Sequence, residues 1–445
     1  MQKDAVIVGL DIGTTKVCAI VGKRNEFGKI EVLGMGKAES LGVIRGEVRN
    51  IDKTVKSINE AIERAKQSME KTNNIRLEIA SVHVGIAGQH IKSLQHRNSV
   101  SRPNNDDEIS YSDVDRLIED TFKLALPPGD KIIHVLPQEY SVDDFADVID
   151  PVGMAGVRLS CNFHIITGNV DAIKNIYKCV DRAGLDVAGL ILEPLSSADA
   201  VITPEEMEAG VCLVDIGGGT TDVAIFKNGI IRHTAVIPFG GNIITEDIVE
   251  GCSVLRNQAE LLKVKFGSAL AEENKENEIV CIPGFHGRPA KEVSVRNLAN
   301  VIQARVEEIF EAVLYEIKSS GLERKLNAGI VITGGGSQLN HLDKLVEYVT
   351  GFDSRIGYAN EHLAKTKIDD MKSPMYATGV GLVLKGFRAL ENEENKGKIK
   401  NKAAELPEVK PVKPPGVKLS GFLNDIVKKG KDWLYEKEDM GDFSG

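Results

Sequence analysis

Two aspartates, Asp11 and Asp215, each close a short apolar run and each lead into Ile-Gly and a pair of threonines. The first copy reads Asp11-Ile12-Gly13-Thr14-Thr15-Lys16, the second Asp215-Ile216-Gly217-Gly218-Gly219-Thr220-Thr221-Asp222. Glycines let a backbone turn tightly and aim its N–H groups at an anion, and threonine hydroxyls add further donors. A carboxylate repels phosphate, but it can orient a Mg²⁺ that bridges to phosphate, directly or through water. Two such turns facing each other would clamp the phosphate tail of a nucleotide from both sides. A third cluster, Thr333-Gly334-Gly335-Gly336-Ser337, follows the apolar run 329–332 and precedes a helical pattern at 339–348. Its glycines permit close backbone approach to a flat ligand or phosphate near a helix N-terminus. The sequence carries neither GxxxxGK[ST] nor GxGxxG, so this phosphate device is of another kind.

Each Asp-Ile-Gly copy lies between two apolar runs, 5–10 and 17–21 in one case, 211–214 and 223–226 in the other. That pattern predicts a β-hairpin with the glycines in its turn. A third run follows each hairpin (30–35; 230–236), then helices, at 51–69 and from about 245. A repeated order of elements around a repeated turn predicts an internal duplication: two related α/β lobes with a cleft between them. Residues 86–163 read as an inserted subdomain in the first lobe, with a helix at 112–124, a Pro127-Pro128-Gly129 break and a strand at 132–136. The expected division is first-lobe core 1–85 and 164–205, second-lobe core 206–253 and 295–390, and a small subdomain at 254–294. A long helix is expected over 295–319, with Leu298, Ile302, Val306, Ile309 and Val313 on its core face.

With 445 residues the chain exceeds one core, and its 42% hydrophobic and 27% charged content is that of a soluble protein. A net charge of -10 argues against nucleic acid as the main partner. No signal peptide and no run long enough to span a membrane is visible. The six cysteines lack metal-ligand spacing and read as reduced core thiols of a cytoplasmic protein. The histidines form no paired motif, so no zinc site is expected.

Residues 391–416 are rich in Lys, Glu and Pro with few apolar side chains, and read as a flexible linker. Apolar residues then return at 417–437, ahead of an acidic tail, 438–445. On a helical projection Leu419, Phe422, Leu423, Ile426, Val427, Trp433 and Leu434 share one stripe, flanked by Lys428, Lys429 and Lys431. A helix of this type lies in the lipid interface with its lysines toward anionic head groups. Gly430 and the acids Asp425, Asp432, Glu436 and Glu438 weaken it, so membrane attachment would need several linked copies.

Together the two Asp-Ile-Gly turns and the Thr-Gly-Gly-Gly turn resemble the two phosphate loops and the adenosine loop of the actin, heat-shock chaperone and sugar-kinase ATPase superfamily. Pro137-Gln138-Glu139-Tyr140 and Ala377-Thr378-Gly379-Val380-Gly381 resemble its two connecting motifs. Within that superfamily the chain resembles the FtsA family of bacterial cell-division proteins. Asp150-Pro151-Val152-Gly153-Met154-Ala155-Gly156-Val157-Arg158-Leu159 is similar to its signature. His164-Ile165-Ile166-Thr167, Gly42-Val43-Ile44-Arg45-Gly46 and Gly240-Gly241-Asn242-Ile243-Ile244-Thr245 also match.

The resemblance implies two actin-like (ribonuclease-H-like) lobes around a nucleotide cleft, with ATP and Mg²⁺ as cofactors. Asp11 and Asp215 would orient Mg²⁺ and its waters. Gly13, Thr14, Thr15, Lys16 and Gly217, Gly218, Gly219, Thr220, Thr221 would hold phosphates, with Gly240 and Gly241 beside them. Gly334, Gly335 and Gly336 would face adenosine, and Glu260 and Lys263 the ribose and base. Gln138 would position the attacking water, with Glu139 the alternative as a base. Neighbours on a strand point to opposite faces, so at most one of them should face the cleft. The resemblance further implies self-assembly into protofilaments, binding to the ring protein FtsZ, recruitment of later division proteins and peripheral attachment at the division site. ATP would serve assembly more than turnover. The alternatives are a small-molecule kinase of the same superfamily and a pilus-assembly ATP-binding membrane adaptor.

Overall fold

Two five-stranded sheets with the same strand order form the frame. The computed structural model describes residues 5–102, 108–284, 289–365 and 368–404. In the first half the chain forms β1 (Val6–Ile12), β2 (Lys16–Arg24) and β3 (Ile30–Glu39), a small hairpin of β4 (Val43–Ile44) and β5 (Glu47–Val48), α1 (Ile51–Asn73) and β6 (Ser81–Ile86). An inserted unit follows: β7 (Lys92–Ser101), α2 (Tyr111–Thr121), β8 (Asp130–Val142), β9 (Phe145–Val148) and β10 (Arg158–Asn169). The first lobe resumes with α3 (Val170–Arg182), β11 (Asp186–Leu192) and α4 (Glu193–Val201), and α5 (Pro204–Ala209) leads into the second. There the order is β12 (Val211–Ile216), β13 (Thr221–Lys227), β14 (Ile230–Ile237), α6 (Gly241–Cys252), α7 (Arg256–Phe266), β15 (Ile279–Ile282), β16 (Lys291–Ser294), α8 (Val295–Ser319), β17 (Ile330–Thr333), α9 (Leu342–Thr350), β18 (Ser354–Ile356) and α10 (Ala377–Ala404).

The first sheet runs β11-β6-β1-β2-β3 and the second β18-β17-β12-β13-β14. In each, the first three strands of the lobe pair antiparallel, and the other two, β6 and β11 in the first lobe and β17 and β18 in the second, add on in parallel. The expected duplication is therefore present strand for strand. Each sheet buries one face under its own helices, α1 and α3 in the first lobe, α8 and α9 in the second. The remaining core joins both lobes around α4 and α10, and draws on Ile20, Leu213, Leu195, Ala198, Val380 and Val383. These two helices can meet because their contact residues are small: a Cβ on Gly381 would lie 1.8 Å from the Ser196 carbonyl oxygen.

The inserted unit is a four-stranded sheet, β7-β10-β8-β9, under α2, with its own core of Leu117, Val142, Leu159, Phe163 and Ile165. It ends at Asn169 and not at 163, since β10 runs on as one strand that pairs with β7 and β8. Residues 254–294 hold α7 and the β15–β16 hairpin. All six cysteines are free and five are buried, Cys281 being exposed.

The expected linker is partly helical, because α10 continues to Ala404. Poverty in apolar residues does not stop a helix already anchored at its N-terminal end from propagating through good helix formers. Residues up to Glu393 group into one body. The stripe at 419–434 that is expected to bind membrane lies outside the described residues. Among the described residues no helix is long and apolar enough to cross a membrane.

Candidate nucleotide site between twin hairpin turns

Both Asp-Ile-Gly turns close with the same hydrogen bond. The Gly13 amide donates to the Lys16 carbonyl at 3.0 Å, and the Gly217 amide to the Thr220 carbonyl at 2.9 Å. The tips meet across the lobes: a Cβ on Gly218 would sit 2.3 Å from Thr15 Cγ2, and one on Gly219 would sit 2.7 Å from Thr14 Oγ1. Only glycine fits there.

Behind the turns lies an acidic centre. Asp11, 4% exposed, pairs with Lys16 at 2.5 Å. Asp215, 8% exposed, accepts from Ser197 Oγ at 2.6 Å and Thr378 Oγ1 at 3.4 Å. Asp222 stands opposite Asp215 in the hairpin register and accepts from Thr220 Oγ1 at 3.3 Å, while its buried Oδ1 has no partner among the described residues. Glu193, first residue of α4, packs on β6, where a Cβ on Gly85 would lie 3.0 Å from Oε1.

Withdrawal from water, then the charges of Asp11, Asp222 and Asp215, push the Glu193 carboxyl well above the usual carboxylate range. Burial and then Asp215 push Asp222 up to about 8, and burial raises Asp215 as well. Burial disfavours charge on Lys16, but the adjacent Asp11 outweighs it and the ammonium is held protonated. Burial first, and mutual repulsion second, favour the protonated forms of Glu193, Asp215 and Asp222, and a divalent cation would offset the repulsion. Among the described residues no three His, Cys, Asp or Glu side chains form a ligand set. Asp11 and Asp215 are the residues that could orient a Mg²⁺ here, and the ion would supply the missing positive charge.

Gly334 and Gly336 pack on the end of β12, where Cβ atoms would lie 2.3 Å from Asp215 Oδ1 and from Ile216 Cγ2 respectively. Gly335 faces open space, with nothing nearer than Met375 Cε at 3.9 Å. Lys263 Nζ donates to the Gly241 carbonyl at 2.8 Å and Thr245 Oγ1 at 2.7 Å and pairs with Glu260 at 2.8 Å, so α7 is tied to the N-terminus of α6. A cavity of about 430 Å³ opens over the turn tips, lined by Thr14, Arg45, Gly218, Gly219, Gly240, Asn242 and Arg256 among others.

Gln138 and Glu139 are occupied elsewhere. Gln138 donates to the Ile231 carbonyl at 2.7 Å and Glu139 pairs with Arg232 at 2.6 Å, both on β14. Strict alternation fails here because Gln138 is the extra residue of a β-bulge: Glu139 faces Asn162, and Pro137 faces Phe163. The motif at 137–140 thus joins the inserted sheet to the second lobe. The residue that enters the acidic centre is Glu193, which the sequence reading passed over. Its signal was Glu193-Pro194 at the end of a strand, ahead of the small residues Ser196, Ser197 and Ala198. Thr378, in the second connecting motif, does reach Asp215.

Duplicated sheets, a helix pair between them and twin glycine turns at their junction define an actin-like fold. The structure of a PilM–PilN type IV pilus biogenesis complex shares it, with a TM-score of 0.61 at 15% identity over 85% of this chain and 98% of that one. Family models described as "Cell division protein FtsA" and "SHS2 domain inserted in FTSA" match residues 212–381 and 88–167. The cell division protein FtsA of Pseudomonas aeruginosa is 42% identical over 388 residues, which is 87% of this chain and 91% of the relative. That of Neisseria meningitidis is 39% identical over 383 residues, covering 86% and 90%, and that of Escherichia coli K12 is 35% identical over 396 residues, covering 87% and 92%. The chain belongs to the FtsA family of cell-division proteins.

Proposed function

We propose that this chain is an ATP-binding, self-assembling division protein that tethers the FtsZ ring to the cytoplasmic membrane and recruits later division proteins. The observation that carries the nucleotide half of this reading is the pair of identically bonded turns meeting tip to tip over an acidic centre. Amides and hydroxyls of Gly13–Lys16 and Gly217–Thr221 would take the phosphates, with Lys16 as counter-charge. Asp11 and Asp215 would hold a Mg²⁺ that screens the phosphate charge. Gly240 and Gly241 would flank the phosphate tail, and Gly335, Glu260 and Lys263 would border the adenosine. Glu193 is the side chain best suited to orient a water against the terminal phosphate, in place of Gln138 or Glu139. Family membership and the lysine-flanked apolar stripe at 419–434 support the tethering half.

Calorimetric titration with ATP tests this. Wild type should bind in the presence of Mg²⁺ and lose roughly tenfold or more in affinity when the metal is chelated or when Asp215 is replaced by Asn. Absence of ATP binding by the wild type, or binding indifferent to Mg²⁺, would refute the reading.

A further inference from the structure

The β4–β5 hairpin turns through Arg45 and Gly46, with φ of 49° and 78°. A two-residue turn with positive φ at both positions suits Asn, Asp or Gly, and arginine there is strained. The turn is gripped from both lobes. The Gly46 amide donates to Thr14 Oγ1 at 3.0 Å on the first glycine turn. On the second, a Cβ at Gly219 would lie 3.0 Å from the Arg45 Cα. Arg45 is exposed and lines the cavity over the turn tips beside Thr14, Gly218 and Gly219. Among the described residues its guanidinium has no hydrogen-bond or ion-pair partner. Arg256, across the same cavity, is already paired with Glu246 at 3.0 Å.

We propose that Arg45 senses the terminal phosphate: its guanidinium folds over the γ-phosphate of bound ATP and makes the site prefer ATP to ADP. This rests on the nucleotide reading above. An unpaired, permanently charged fork of donors suits the oxygens of a terminal phosphate, which carries more charge and more free acceptors than a bridging one. The turn touches both glycine loops. A bond from Arg45 to the γ-phosphate would therefore tie that phosphate to a hairpin that both lobes already contact.

The test is calorimetry with ATP and with ADP, each with Mg²⁺, on wild type, Arg45→Gly and Arg45→Lys. Glycine suits the backbone of this turn, so the thermal midpoint of Arg45→Gly should not fall, and loss of fold is separated from loss of ligand. Expected is a drop of roughly tenfold to a hundredfold in ATP affinity for Arg45→Gly, with ADP affinity altered less than about twofold and Arg45→Lys in between. If wild type binds neither nucleotide, the nucleotide reading falls and this inference with it. If wild type binds ATP and Arg45→Gly weakens both nucleotides equally, or neither, the role of Arg45 is refuted while the nucleotide site stands.

Discussion

Gly334 shows how much a single backbone position can be asked to do. Its φ of 85° and ψ of 177° lie in a region that residues with a side chain essentially do not enter. A Cβ there would also press on Asp215 Oδ1 at 2.3 Å and the Ile216 carbonyl oxygen at 2.6 Å. Gly334→Ala should therefore destabilise the protein by about 3 kcal/mol, read as a shifted midpoint in urea denaturation. A loss under about 1 kcal/mol would mean that the turn relaxes and that the glycine is not required by packing. Of the three glycines expected to face a ligand, packing claims Gly334 and Gly336 and leaves Gly335 the room. Asp11 and Asp215 were legible because each is locked in spacing to its own glycine turn. Glu193 was not, since its meaning comes from three aspartates that only tertiary structure gathers around it.

At the scale of elements, the inserted sheet is held at both sides by neutral histidines. His134 Nε2, on β8, accepts from the Leu192 amide at the end of β11 at 3.0 Å. His164, on β10, meets Gln95 Nε2 at 3.0 Å through Nδ1, which assigns the proton to Nε2 for donation to Thr234 Oγ1 at 3.0 Å. Burial lowers both imidazoles to about 4, aided by the charge of Lys385 at His134 and of His233 at His164. His233 is itself paired with Glu316, and the neighbouring charges Arg232 and Glu139 pair with each other. An unfolded histidine titrates near 6.5, so between that pH and about 4 the unfolded chain binds more protons, and stability falls as pH falls. Each histidine contributes about 1.4 kcal/mol per pH unit, or about 2 kcal/mol between pH 6.5 and 5. The raised carboxyls of Asp222 and Glu193 act with the opposite sign, because the folded state takes up their protons first. The clean measurement is hence a difference: the gap in unfolding free energy between wild type and His164→Gln should narrow by about 2 kcal/mol from pH 7 to pH 5. A gap that does not change with pH would rule out the neutral buried imidazole. The duplicated hairpins were legible from apolar runs around repeated turns. The bulge at Gln138 was not, since an extra residue leaves no mark on hydrophobic periodicity.

For the whole molecule, the question is how a chain with its body complete by Glu393 would reach a membrane. The change of character near residue 390 is legible in composition, whereas the helical state of 391–404 is not. Helix α10 continues through 391–404. Truncation at 390 would cut that helix and remove Glu391, which pairs with Arg24, so a cut after Ala404 separates the tail more cleanly. Beyond that point the sequence holds four prolines within 405–416, then the apolar stripe with Lys428, Lys429 and Lys431. Each lysine near an anionic surface is worth about 1 kcal/mol, and four nearby acids offset part of it, so one helix would bind weakly. Copies linked in a filament would bind far more tightly through effective concentration alone. Sedimentation with anionic vesicles should carry down the intact chain, more completely where it assembles, and leave the chain ending at Ala404 in the supernatant. High salt should reduce pelleting, since the lysines would be screened. Trp433→Glu should release most of the protein by placing a charge in the apolar stripe, without touching the body that ends at Glu393. Equal pelleting of the intact and shortened chains would move the membrane contact onto the body and remove the tail from the mechanism.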